Sequence, residues 1–463
     1  MTRQPNIVWI TTHDINPHLG AYAGVYPGAE YAVTPRLDRL AAEGVRFDQA
    51  FAAAPICAPS RSAIITGCFP TAIGTMHMRT KAAPPPEVRL LPEYFREAGY
   101  YVTNASFTDF QTPTPVSVFD DCSDGAHWRN RPDPDQPFFA AFQGLMTHES
   151  QIYLDDEAFA ERTRHGADAD RHEPDRAPLP PYYPDTETFR KSWARYNDLI
   201  TEMDHWAGGI LDQLGEDGVA DNTIVVFWSD LGLGMPRGKR WINDSGLHEP
   251  LLVRWPGRIE PGTSTDALVH LMDLAPSMLA AAGIPVPEHM HAKAFLDEEG
   301  LVDGGNTYLY AGRDRMGELE DMSRSVPDQR FRYIRHFHPD RSPMQHCNYP
   351  DRLWTWSEMR RMGVDRGGPA CEGRATKCPH PAPAPTHRPD EAVRRATTWS
   401  KTLMRRGTSQ TIRPTPAWWS AWRPRSPRGR SGTATSAPST RTNSWSAGGP
   451  AACGRRQSPR SSE

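Results

Sequence analysis

The chain opens on a short apolar run, Ile7-Val8-Trp9-Ile10, that closes on Thr11-Thr12-His13-Asp14. An unbroken apolar run ending in polar groups predicts a strand buried on both faces, with chemistry at its C-terminal end. Thr34-Pro35 then predicts a capped helix with Leu37, Leu40 and Ala41 on one face and Gly44 as its stop. The apolar stretch 45–51 predicts the next strand, 91–98 a helix stopped by Gly99, 100–106 a strand, and 138–142 a strand after which the chain reaches His148-Glu149. Residues 150–185, charged and rich in proline, predict an excursion over the surface. Phe189, Trp193, Tyr196, Leu199, Ile200 and Met203 recur at helical spacing within 185–214, and the apolar run 223–228 predicts a strand ending at Ser229-Asp230. Alternating strands and helices predict an α/β fold, with a mainly parallel sheet and helices on both faces.

Length and charge divide this picture into three parts. The 463 residues suffice for a catalytic domain over 1–283 and a smaller C-terminal subdomain over 284–365, with short strands expected at 308–311 and 331–334. The remaining 366–463 carry 18 Lys and Arg against 4 Asp and Glu, whereas the whole chain is at -4, so residues 1–365 stand at -18. That tail has no Phe or Tyr and 13 Pro, a composition that reads as disordered. A frameshift accounts for it better than a basic nucleic-acid arm does, because 396–405 back-translate to an acidic segment in a shifted frame. No apolar core of secretory length precedes Ile7 and no run approaches membrane-spanning length, so the expected location is the cytoplasm, with neither membrane nor nucleic-acid partners. Of the seven cysteines only Cys371 and Cys378, within the tail, are closely paired, so neither a disulfide framework nor a zinc site is expected.

The stretch with the most specific chemistry is Cys57-Ala58-Pro59-Ser60-Arg61-Ser62-Ala63-Ile64-Ile65-Thr66-Gly67. Pro59 fits a first helical turn, Ser60 a cap, and Gly67 the left-handed residue that closes a short helix. This predicts a nucleophile, Cys57, at a helix N-terminus suited to an anion.

Cys-x-Pro-Ser-Arg followed by Thr-Gly resembles the signature of the type I sulfatases, whose cysteine is oxidised to formylglycine after translation. Thr34-Pro35-Arg36-Leu37-Asp38, Asp244-Ser245-Gly246-Leu247-His248 and Pro250-Leu251-Leu252-Val253-Arg254-Trp255-Pro256 resemble the same family, with the bacterial arylsulfatase and heparan N-sulfatase branch nearest. The resemblance implies an alkaline-phosphatase-like fold and hydrolysis of an O-sulfate ester or sulfamate of a sugar or small molecule. It also implies a maturation enzyme that generates formylglycine from Cys57. Arg61 matches the arginine that holds that residue, His148 the histidine at the sulfate or its leaving oxygen, and Lys239 a sulfate-binding lysine. Asp14 and Asp230 match ligands of a divalent cation, usually calcium.

Three positions depart from the family pattern. His13 stands where an acidic ligand is expected, Leu231 where His or Asn follows Asp230, and Phe107 where a sulfate-binding lysine is usual. Imidazole suits softer divalent ions such as manganese better than calcium, which weakens the expected calcium site. The alternatives are therefore a catalytically impaired anion-binding protein and a phosphonate or phosphodiester hydrolase of the same superfamily.

Overall fold

A computed structural model describes residues 4–363, apart from 113, 115 and 343; these residues lie within one compact unit. The tail expected over 366–463 lies outside the described residues. The central sheet has eight strands: β1 (Asn6–Thr12), β2 (Val45–Phe47), β3 (Tyr101–Asn104), β4 (Asp121–Cys122), β5 (Phe138–Gly144), β6 (Thr223–Ser229), β7 (Leu251–Arg254) and β8 (Thr263–Thr265), in the order β8-β2-β7-β6-β1-β5-β3-β4. Only β7 runs against its neighbours β2 and β6, so the sheet is mainly parallel as expected.

The apolar runs are unbroken because both faces are covered. On one face Ile7, Trp9, Phe139, Val226 and Trp228 pack beneath helices α2 (Cys57–Thr66), α3 (Leu91–Glu97) and α5 (Leu274–Ala281). On the other, Val8, Ile10, Phe138, Val225 and Phe227 meet α1 (Pro35–Ala42) and the long α4 (Glu187–Glu216). At about 25 cal/mol per Å² of apolar surface, these two cores supply the dominant favourable term.

Two local expectations are corrected. The single strand expected over 45–51 is split: β2 ends at Phe47, and Ala50–Phe51 joins a separate sheet with His248–Glu249 and Val269–His270. Asp48, whose carboxylate is held by Arg46 at 2.7 Å, marks the change of sheet. Thr34 does not cap α1 through its side chain. Its hydroxyl is turned to Asp38 at 2.9 Å, and the first free N–H groups of α1, on Arg36 and Leu37, are taken instead by Asp204 of α4 at 3.1 and 2.7 Å.

The segment 150–185 holds a short helix, Asp156–Arg162, and is anchored through buried Phe159 and Tyr183. Beyond Gly283, a three-stranded antiparallel sheet is built from Ala311–Arg313, Ser323–Pro327 and Arg332–His336. Its strands begin a few residues and one residue later than the runs at 308 and 331 predict. The last helix among the described residues, α6 (Trp354–Arg361), packs on α4.

Candidate active site

Three neighbouring strands, β1, β5 and β6, end at one edge of the sheet, and their C-terminal loops carry His13-Asp14, Thr147-His148-Glu149 and Asp230-Leu231. This is the edge where open α/β sheets place ligands. The Thr12 and Thr147 hydroxyls meet at 2.6 Å, and the His13 N–H donates to Thr147 Oγ1 at 3.2 Å, tying the first two loops together. Asp14 adopts φ 54°, a left-handed conformation that costs a non-glycine residue about 1–2 kcal/mol. There its backbone N–H reaches Asp230 Oδ1 at 3.4 Å while Oδ2 accepts the Glu149 N–H at 2.7 Å.

Lys239 is the cation at the centre. Its Nζ donates to Asp14 Oδ1 and Oδ2 at 3.0 and 2.8 Å, stands 3.3 Å from Glu149 Oε1 and lies 3.3 Å from His148 Nε2. The Lys239 N–H bonds to the Leu233 carbonyl at 2.8 Å, and a Cβ on Gly238 would sit 2.1 Å from that same oxygen, so this turn requires glycine. Arg240 grips Glu149 in a two-pronged pair at 2.8 and 2.7 Å.

Electrostatics follow from burial and these partners. Burial lifts Asp14 to about 6 even against the pull of Lys239. Asp230 is lowered to about 2, because His13 and Arg61 outweigh its burial. Glu149 is held below the usual carboxylate range by Arg240 and Lys239. Burial, reinforced by Lys239, keeps His148 well below its ordinary value and therefore neutral at pH 7. Since the ammonium of Lys239 can only donate, it fixes His148 Nε2 as the acceptor.

Helix α2 brings Cys57 to the same edge. Ile56 is its N-cap, so Cys57 is the first helical residue, and Gly67 closes the helix at φ 66° as expected. Ser60 is not the cap; it lies in the first turn, where its hydroxyl donates to the Asp230 carbonyl at 2.6 Å. That bond, with Arg240 N–H to the Pro55 carbonyl at 2.7 Å, clamps the helix start against the 230–240 loop. Burial pushes the Cys57 thiol well above its ordinary range although Lys239 opposes it. An unmodified Cys57 is thus a protonated thiol rather than a thiolate nucleophile.

Arg61 runs back from α2 beneath the loop after β3, where Nε donates to the Thr108 carbonyl at 2.8 Å and Nη2 to Gln143 Oε1 at 2.9 Å. The rings of Phe107 and Phe110 lie 4.9 and 5.5 Å from its guanidinium carbon. Phe107 also meets His13 edge-on at 5.1 Å, so two of the positions that depart from the family pattern touch each other. Leu231, the third, is fully buried.

Of the expected residues, Asp14 contacts Lys239 and His148, Asp230 contacts His13, whose Nδ1 lies 3.0 Å from Asp230 Oδ2, and the Asp14 N–H joins the two groups, while Arg61 bonds instead to Thr108 and Gln143. Glu149 and Arg240 complete the first group and were not singled out from the sequence; the dipeptides His148-Glu149 and Lys239-Arg240, each placing a charge beside a site residue, were the available signal.

Two sets of donors are candidates to hold a divalent ion. Asp14, His148 and Glu149 offer atoms within 4.8 Å of one another. In that set Glu149 is committed to Arg240 and the ammonium of Lys239 already bridges the carboxylates. His13 and Asp230 are different: His13 Nδ1 and Asp230 Oδ2 face each other at 3.0 Å, and the buried His13 Nε2 has no hydrogen-bond partner among the described residues. A buried nitrogen left this way is costly unless a ligand engages it, and an imidazole beside a carboxylate is a donor pair suited to a divalent ion.

Comparison with known proteins gives this geometry its context. The Sulfatase family model matches residues 5–135 and 130–284. An ulvan-active sulfatase of Formosa agariphila is 37% identical over 403 residues, covering 79% of this chain, which spans 66% of that relative's length. A chain solved in complex with its substrate D-glucosamine-2-N,6-O-disulfate superposes with a TM-score of 0.55 at 19% identity, over 72% of this chain and 89% of the other. The phosphonate monoester hydrolase of Agrobacterium radiobacter superposes at 0.58 and 14% identity, over 87% and 95%. The fold is alkaline-phosphatase-like, and the chain belongs to the sulfatase family.

Proposed function

We propose that this protein hydrolyses a sulfate ester or sulfamate carried by a sugar or small molecule, with Cys57, matured to formylglycine, as the nucleophile. The observation that carries this reading is the buried cation Lys239, held by Asp14 against neutral His148 at the edge where α2 delivers Cys57. Formylglycine supplies a hydrated aldehyde, two hydroxyls on one carbon, in place of the inert buried thiol. Lys239 and the N-terminal N–H groups of α2 would neutralise the oxygens of the transferring sulfate, a fixed arrangement that needs no reorganisation. Neutral His148, with Nε2 beside Lys239 and part of its ring open to solvent, is placed to line the leaving-oxygen side of the site. Arg61, anchored at Thr108 and Gln143, fixes the helix face that bears Cys57.

Asp14, Asp230 and His13 would hold a divalent ion, which supplies charge neutralisation at the sulfate. A nitrogen donor in this set favours manganese or a similar ion over calcium. The test is hydrolysis of an aryl sulfate, glucosamine N-sulfate and an aryl phosphonate by chain matured with a formylglycine-generating enzyme. Turnover of either sulfated compound that disappears in Cys57→Ala supports the reading. Faster turnover of the phosphonate replaces it with the phosphonate hydrolase, and binding without turnover replaces it with an impaired sulfatase scaffold.

A further inference from the structure

Backbone strain is concentrated around the site. Among the described residues, the non-glycine residues in the left-handed conformation are Asp14, Arg237 and Arg240 in or beside the site, and Arg79, Ser106, Asp109 and Gln111 on two neighbouring loops. Such conformations are costly and persist where the surrounding structure enforces them. The two loops are bound to each other: Arg79 grips Asp109 with Nε at 3.2 Å and Nη2 at 3.0 Å, and Gln111 Nε2 donates to the Thr80 hydroxyl at 2.8 Å. Both are also tied to the helix of the nucleophile. The Ser62 hydroxyl of α2 donates to Thr75 Oγ1 at 2.8 Å, and Arg61 reaches the Thr108 carbonyl. Cys57 stands within electrostatic reach of both Arg79 and Asp109.

A third loop, from the C-terminal sheet, adds a second guanidinium. The Gly312 N–H donates to the Ala53 carbonyl at 2.9 Å, which seats this loop on the segment leading into α2. The Met78 N–H donates to the Arg315 carbonyl at 3.1 Å, and Arg315 Nη2 donates to the Met78 carbonyl at 3.2 Å, so Arg315 lies against the residue next to Arg79. The side-chain hydrogen bonds of Arg315 go to the carbonyls of Met78 and Gly317, and no described carboxylate pairs with it. Arg79 is paired, but Asp109 is the buried side of that pair: its side chain is 13% exposed against 56% for Arg79. The carboxylate engages Nε and Nη2 and thereby fixes the plane of the fork, while Nη1 stays available to an oxyanion. Tyr349, 43% exposed and with its ring centroid 5.8 Å from the guanidinium carbon of Arg240, adds a flat apolar face with a polar tip, a surface suited to a sugar ring.

We propose that Arg79 and Arg315 form a second anion subsite at the mouth of the site, taking a further carboxylate or sulfate group of the saccharide whose sulfate ester lies at Cys57. This assignment rests on the sulfate-ester reading and narrows it to acidic saccharides that carry at least two acid groups. A neutral sugar bearing one sulfate ester leaves the subsite unfilled.

The test is calorimetric binding to the full chain carrying Cys57→Ala, which reads affinity without turnover. The ligands are galactose 6-sulfate, galactose 2,6-disulfate and a disaccharide of glucuronic acid and galactose 6-sulfate. The second acid group tightens binding at least about tenfold over galactose 6-sulfate, and the diacid that gains more identifies the group taken. Arg79→Met and Arg315→Met each reduce that gain at least about fivefold, and Arg79→Lys restores only part of it, because the charge returns without the fork. The gain also shrinks as salt is raised. Equal affinity for all three ligands, or an undiminished gain in both methionine variants, overturns the subsite and leaves the sulfate-ester reading intact. Binding of none of the three removes that reading, and the subsite with it.

Discussion

Replacing Arg240 by methionine isolates the charge balance of the candidate site. Arg240 meets Glu149 through two hydrogen bonds at 2.8 and 2.7 Å, with side chains 9 and 2% exposed. Arg240→Met leaves Glu149 buried with a single cation, Lys239, which already stands 3.3 Å away. Breaking one side of a buried pair costs about 3–5 kcal/mol, and that loss is expected in equilibrium urea unfolding of the full chain at pH 7. Lys239 is also drawn from Asp14 toward the stranded carboxylate, so anion binding at the site weakens with the stability. Adding Glu149→Gln removes the stranded charge, so the double variant regains about 1–3 kcal/mol relative to the sum of the two single changes. A single variant within about 1 kcal/mol of wild type, or a strictly additive double variant, refutes the claim that Arg240 sets the charge of Glu149.

Other predictions follow from the same geometry. Lys239→Met lowers kcat about 10²–10³-fold without changing the mass of the matured Cys57 peptide, as peptide mass spectrometry and initial rates will show. His270 is buried between the Phe51 carbonyl and the Tyr310 N–H, and burial lowers it to about 4. Its unfolded form takes up a proton near 6.5 and its folded form does not, so its contribution is intact above pH 6.5 and is lost as pH falls toward 4. The difference amounts to about 3 kcal/mol, and His270→Gln removes that part of the pH dependence; unfolding curves of the two proteins that stay parallel from pH 7 to 4 contradict it. His13→Asp replaces the nitrogen donor by oxygens and raises calcium affinity at least about tenfold, measured by calorimetry.

The central strands were legible because β1 and β6 are covered on both faces and therefore read as unbroken apolar runs ending in polar residues. Gly67 likewise announced the end of α2, since its backbone adopts the left-handed conformation that glycine reaches without strain. The split after Phe47 left no mark, because Val45, Phe47, Ala50 and Phe51 are all buried and a change of sheet does not change their polarity. Thr34-Pro35 pointed correctly to the start of α1, yet its capping partner Asp204 lies far along the chain and could not be read from local pattern. The same limit applied to the site. Cys57, Arg61 and Asp14 are marked by local motifs, whereas the Glu149–Arg240 pair joins residues 91 positions apart. The contact between His13 and Phe107 shows why departures that looked independent in sequence belong together: an imidazole at the first loop is packed against a ring rather than a second cation.

The most direct measurement of the central claim is the rate of aryl sulfate and glucosamine N-sulfate hydrolysis by the full chain, after peptide mass confirms maturation of Cys57 and with manganese or calcium supplied. Turnover requires the matured residue, is lost in Cys57→Ala, and is faster with manganese. A matured, folded protein that binds sulfated ligands but turns over neither compound with either ion would contradict it.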